Sequence, residues 1–300
     1  MTAPAPALLR QERWEPAEGT AVRGTVVLLP GRGEHPALYA RFGRRLALDG
    51  YRLVVPGPTA PAHRAGPPDA PHTAGDVDPA DGAGADPSPA AWSDRRLEQL
   101  GGDLAALTAH ERGRHGGPVV LAGSDTGALL ALAAATTVPV DALLLAGLPS
   151  PHDAVSAGDT PPDWADDELS ARTACPVHRS LLADSAEFRA GALLEPVAAE
   201  LAAAAATARP TLPVLAFHGL ADPVAPVEGL RALARRLPSV DALGVADGRH
   251  DVFNDAAHRS VAARTVQWLE ALRAGLDRLP ATPPALLVPL QPGRPDGAVR

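Results

Sequence analysis

The sequence predicts an α/β fold: a mostly parallel central sheet with helices on both faces and a small helical cap. Three observations carry that expectation. Short β-branched or leucine-rich runs alternate with stretches of helical periodicity, the order of strand–helix–strand units. The strand runs are continuously apolar instead of alternating, so both of their faces are buried. Finally, 300 residues, 46 % of them apolar, suffice for one large core or two small ones.

Each element follows from its own residues. Thr25 to Leu29 reads as a buried strand ending in Pro30-Gly31, and Ala37 to Leu48 as a helix stopped by Asp49-Gly50. Arg52 to Val55 is the next strand. Pro56 to Ala90 breaks the alternation with nine Pro, five Gly and five Asp, too few apolar groups to order itself, and is expected to be a mobile loop. Pro118 to Ala122 is a strand, Thr126 to Ala135 a helix, and Asp141 to Ala146 a strand. Ser150 to Pro210 carries Trp164, Leu169, Leu181, Leu182 and Phe188 at helical spacings and reads as a helical insertion over the strand ends. Strand, helix, strand and helix then follow at Pro213 to Phe217, Pro226 to Leu237, Val240 to Val245 and Ala256 to Leu272. The expected division is a core of residues 10–149 and 211–276, with a loop at 56–92, a cap at 150–210 and a peripheral Pro-rich tail at 277–300.

Composition removes several chemistries. All 27 basic residues are arginine, isoleucine is absent, and Asn254 is the single asparagine, a bias expected of a GC-rich bacterial genome. Without lysine there is no Schiff-base residue, P-loop lysine or kinase lysine. A net charge of −8 and no basic stripe interleaved with aromatics argue against nucleic acid as a partner. Cys175 is the only cysteine, so no internal disulfide forms, which fits a reducing cytoplasm. No secretory leader or membrane span is read from the chain, and no histidine–carboxylate cluster has metal-ligand spacing. Neither a metal nor a cofactor is expected. The partner expected is a small-molecule substrate.

The informative segment is Val119-Val120-Leu121-Ala122-Gly123-Ser124-Asp125-Thr126-Gly127. A strand runs into glycine, one residue, a candidate nucleophile, one residue and glycine, and then becomes a helix. Small residues two positions either side are required because such a turn is sharp and lifts the central side chain above the sheet. By that spacing the central residue is Asp125, not Ser124. Three further strand ends bring chemistry: Gly31-Arg32-Gly33-Glu34-His35, a loop able to turn backbone N–H groups toward an anion; His218-Gly219-Leu220-Ala221-Asp222; and Gly248-Arg249-His250-Asp251. The chain order is nucleophile, acid, histidine.

The last three of these segments, with Gly50-Tyr51-Arg52-Leu53, resemble the α/β-hydrolase superfamily, nearest to its lysophospholipase and monoacylglycerol-lipase-like branch. The resemblance spans about residues 20 to 275. It implies an α/β-hydrolase fold with Asp222 as acid, His250 as base, and an oxyanion hole of the Arg32 and Thr126 backbone N–H groups. Asp153 is the alternative acid. Gly31, Ser124, Trp164 and His178 are the candidate substrate contacts. Three departures stand out: the branch uses a serine where this chain has Asp125, Pro30 replaces the usual histidine, and an Asp-x-Arg-Gly-His-Gly segment is missing after Val55.

An aspartate at this position redirects the chemistry. A carboxylate is a poor nucleophile toward esters but displaces well at saturated carbon, giving an ester that activated water then cleaves. Epoxide hydrolases and haloalkane dehalogenases of the superfamily work this way, and an apolar epoxide- or halide-type substrate is the first expectation. The tyrosines that assist epoxide opening are not evident, since Tyr39 and Tyr51 both lie outside the cap. Two other readings stay open: an ester or thioester hydrolase in which Asp125 and His250 activate water directly, and a non-hydrolytic enzyme or binding protein on the same scaffold.

Overall fold

The computed structural model describes residues 11–57, 97–149, 167–275 and 287–289. It contains one eight-stranded sheet in the order β1-β3-β2-β4-β5-β6-β7-β8. The strands are β1 (Gln11–Trp14), β2 (Gly24–Leu29), β3 (Tyr51–Pro56), β4 (Val119–Ser124), β5 (Ala142–Ala146), β6 (Val214–Gly219), β7 (Val240–Val245) and β8 (Leu287–Pro289). β2 to β7 pair in parallel, while β1 and β8 close the two edges antiparallel to β3 and β7.

The continuous apolar runs behave as two-faced strands. Val27, Leu29, Leu121, Leu143, Leu145, Val214 and Ala216 face one core, with residues of α2 (Leu97–His115), α3 (Thr126–Ala134) and α7 (Glu228–Arg236). Their neighbours Val26, Leu28, Val120, Ala122, Leu144, Leu215 and Phe217 face the other, beneath α1 (Ala40–Leu48) and α8 (His258–Arg273). A strand buried on both sides has no solvent-facing row to fill with polar side chains, which is why the alternation is missing. Each fully buried Leu, Val or Phe contributes about 1.5–3 kcal/mol.

The structure adds to the predicted layout in four places. β1 was not expected, because four half-buried residues carry too little pattern. The Gly101-Gly102 pair masks α2, whose Leu100, Leu104 and Leu107 nevertheless recur at helical spacing on the core side. Residues 287–289 of the expected peripheral tail form β8, the outermost strand of the sheet. The 150–210 segment also reaches further into the body than a cap would. Of its described part, α4 (Glu168–Arg172) and α5 (Pro176–Ala183) lead to α6 (Ala199–Thr207), and α6 buries Leu201 and Ala205 in the same core as α3. The Pro56–Ala90 loop lies, from residue 58 onward, outside the described residues. Among the described residues, no helix is long and apolar enough to cross a membrane.

Candidate active site

The turn after β4 has the sharpness its glycines predict. Asp125 takes φ 50° and ψ −123°, a left-handed region that costs a non-glycine residue about 1–3 kcal/mol. It is held there by its N–H bond to Ala146 O at 3.0 Å and by the start of α3. A Cβ on Gly123 would stand 2.1 Å from Gly127 O, and one on Gly127 2.2 Å from Leu29 O, so both positions admit only glycine. The Asp125 carboxylate is 1 % exposed.

Two loops after neighbouring strands deliver its partners. Beyond β6, Asp222 Oδ1 accepts the N–H groups of Val224 at 2.8 Å and Ala225 at 3.2 Å, which fixes the carboxylate. Its Oδ2 lies 2.8 Å from His250 Nδ1. With Nδ1 so engaged, the ring turns its other nitrogen the opposite way, and Nε2 sits 3.3 Å from Asp125 Oδ1. His218 is fully buried with Nε2 2.9 Å from Ala225 O and 3.4 Å from Asp222 Oδ2. It braces the acid from behind.

Arg32 does more than its backbone suggests. Its N–H, expected to serve an oxyanion hole, donates to Asp125 Oδ2 at 2.9 Å. In addition, Nε donates to Oδ2 and Nη2 to Oδ1, each at 2.8 Å, a forked ion pair that the sequence reading omitted. Nη1 is held by the carbonyls of Leu193 at 3.1 Å and Glu195 at 2.6 Å. Thr126, expected to share the oxyanion task, opens α3. Among the described residues, no hydrogen bond joins its N–H to the carboxylate.

These contacts set the charge states. Burial alone would raise the Asp125 pKa, but the Arg32 guanidinium, its hydrogen bonds and His250 hold it well below the ordinary carboxylate range. Burial would likewise lower His250, yet Asp222 and Asp125 push it up to about 10. At neutral pH the group is therefore an imidazolium between two carboxylates, beside a guanidinium.

A second buried cluster adjoins the first. Glu34 Oε2 accepts the Gly31 N–H at 2.7 Å and the Tyr39 hydroxyl. Arg172 donates to Arg32 O at 2.6 Å, to Glu168 at 2.8 Å and, more loosely, to Asp251 at 3.4 Å. Burial, then Asp251, raise Glu34 to about 7. His178, a candidate substrate contact, belongs here, with Nε2 3.7 Å from Asp251 Oδ2. Ser124 is buried at the end of β4, and Gly31 contributes its N–H to Glu34. Trp164 and Asp153 lie outside the described residues. Cys175 is buried, as its type suggests. Among the described residues, no group of three His, Cys, Asp or Glu side chains has the arrangement of a metal site.

No protein family matches the chain, and no curated protein matches it. Its fold does match solved structures. A soluble variant of monoglyceride lipase from Saccharomyces cerevisiae superposes with a TM-score of 0.57 at 19 % identity, covering 87 % of this chain and 90 % of the lipase. The monoacylglycerol lipase of Paleococcus ferrophilus gives 0.60 at 16 % identity, over 87 % and 98 %. A haloalkane dehalogenase variant from Bradyrhizobium elkanii gives 0.55 at 17 % identity, over 90 % and 96 %. The chain has the α/β-hydrolase fold.

Proposed function

We propose that this protein is a hydrolase in which Asp125 attacks a saturated electrophilic carbon and His250, oriented by Asp222, activates the water that releases the product. One observation carries the reading. The carboxylate on the strained turn has one oxygen on the Arg32 oxyanion donor and the other 3.3 Å from His250 Nε2. On this reading the first oxygen bears the negative charge of ester hydrolysis, and the second is the attacking atom.

The charge states support the order of steps. Attack by an ionised carboxylate needs no base, and a strongly depressed pKa keeps Asp125 ionised. Alkylation then converts it to a neutral ester. That removes one of the two carboxylates raising His250, so its pKa falls; the ring passes its proton to the alkoxide of an opened epoxide, or to solvent when a halide leaves, and so gains the lone pair that general-base catalysis requires. Direct water activation in the resting site fits less well, because a protonated imidazole cannot take a proton. The substrates named for the lipases and the dehalogenase belong to those proteins. For this chain the electrophile class is an epoxide or a halide.

A single turnover in heavy-oxygen water tests the reading. The expected result is label in the peptide containing Asp125, since water attacks the ester carbonyl on the enzyme. Label confined to product would overturn it.

A further inference from the structure

We infer that the cleft between α1 and α8 binds a small phosphate ester, a dianion carrying a short apolar arm, at a place that shares no residue with the turn after β4. The cleft holds about 280 Å³ over a floor of Phe42 and Ala262. Four arginines border it, in a chain whose net charge is −8. Their gathering follows from helix spacing. Arg41, Arg44, Arg45 and Leu48 stand at i, i+3, i+4 and i+7, which is one face of α1, while His258 and Arg259 open α8 opposite. Like charges at those spacings repel one another within the helix.

Not all of these cations need a ligand. Arg45 lies in the last turn of α1, where a cation suits the helix dipole, and pairs with Asp49 at 3.3 Å. The other three are placed without being neutralised. Arg41 Nη1 donates to Cys175 Sγ at 3.2 Å and Nη2 to Asn254 O at 2.6 Å, a thiol and a carbonyl. Arg44 and Arg259 are exposed, and among the described residues neither has an ion-pair partner. Arg259 also stands at the unfavourable end of its helix. The first turn of α8 carries no acid and no side-chain cap, so a cation there adds to the positive end of the dipole. Asp255, just ahead of α8, is taken up by the Thr173 hydroxyl and the Ala174 and Arg249 N–H groups. The uncancelled field reaches His258: burial first, then Arg41 and Arg259, hold its ring below the ordinary value against a hydrogen bond to Asp255 O.

Charge and shape together select the ligand. Three cations without an acid are better answered by a dianion than by a monoanion. They approach from two helices, and a tetrahedral phosphate offers oxygens in several directions where a planar carboxylate suits a single fork. Leu48, 79 % exposed at the rim, and the Phe42–Ala262 floor provide for an apolar arm. A bilayer is the poorer occupant. One leucine buries far fewer carbons than a myristoyl chain, which by itself holds a protein to membrane only marginally, and the cations line a hollow instead of a flat face.

Titration tests this. Butyl phosphate and inorganic phosphate are titrated calorimetrically into the parent, into Leu48→Gln and into Arg44→Gln with Arg259→Gln, with phosphorus NMR line widths as a second readout. These positions are exposed, and circular dichroism verifies the fold. The parent is expected to bind butyl phosphate about tenfold more tightly than inorganic phosphate, and Leu48→Gln to lose that difference. The double variant is expected to bind both about 100-fold more weakly. Equal affinity in the parent and the double variant overturns the site, as does no binding of either phosphate to the parent. Equal affinity of the parent for the two phosphates overturns the apolar arm. Sedimentation of the parent with phosphatidylglycerol vesicles, without binding of butyl phosphate, assigns the cleft to a lipid surface and overturns the small ester.

Discussion

Two buried ionic clusters share the Gly31–Gly33 loop, and they are wired differently. At the turn, two carboxylates meet two cations, and each acid has a cation of its own: Arg32 for Asp125, His250 for Asp222. Next door, the single arginine Arg172 serves Glu168, Asp251 and Glu34 together. The acid least well served, Glu34, responds by binding its proton more tightly, at about 7. The first cluster stores its charges ionised and opposed, ready for a change at one member. The second serves shape: Glu34 holds the Gly31 N–H and Arg172 the Arg32 carbonyl, so together they fix the loop that presents the Arg32 N–H.

The contrast can be broken most sharply at Asp125. Asp125→Asn is expected to lower turnover by about three orders of magnitude or more while the protein stays folded, as steady-state rates and circular dichroism will show. In the same variant the His250 pKa, followed by ring NMR, should fall from about 10, because one of its two carboxylates is gone. The sign also sets a stability trend. A histidine raised above its unfolded value stabilises fully below pH about 6.5, and this contribution disappears as pH rises through 10. Alkaline unfolding should therefore be shallower in Asp125→Asn than in the parent.

His250→Gln separates the two chemical steps. It should still form the Asp125 ester but fail to hydrolyse it, so intact mass after mixing with an electrophile should show one stable adduct. A variant that turns over at the parent rate would remove His250 from the proposal.

The second cluster should answer in stability before activity. Arg172→Met removes the cation shared by three acids and is expected to cost about 3–5 kcal/mol in urea denaturation. The smallest effect is expected at Glu34. Because its folded pKa is raised from 4.5 to about 7, ionising it opposes folding, and stability falls as pH rises across that window. Glu34→Gln retains an acceptor for Gly31 and Tyr39 and should flatten that fall. Urea midpoints at pH 5 and pH 8 will show whether the variant gains only at the higher pH.

Much of this architecture was readable from spacing. Strands buried on two faces announce themselves as unbroken apolar runs, and Gly123, Asp125 and Gly127 mark the turn because its steric demands are local. The loops bearing Asp222 and His250 were readable for the same reason, as each ends a strand. Less legible were β1, β8 and α2, whose short or glycine-interrupted patterns make sense only beside the strands or core they cover. The place of His178 beside Asp251 was not legible either, because a helix carrying a histidine reads alike whatever that histidine faces.

The sequence by itself determined the sheet, the strained turn and the order of the three chemical residues, since these depend on near neighbours along the chain. Only the tertiary structure decided what Asp125 meets. Arg32 lies 93 residues away, and nothing in its local sequence says whether its side chain points to solvent or into the site. Once the fold closes, a guanidinium buried beside a carboxylate has nowhere else to place its charge, and the long-range ion pair follows.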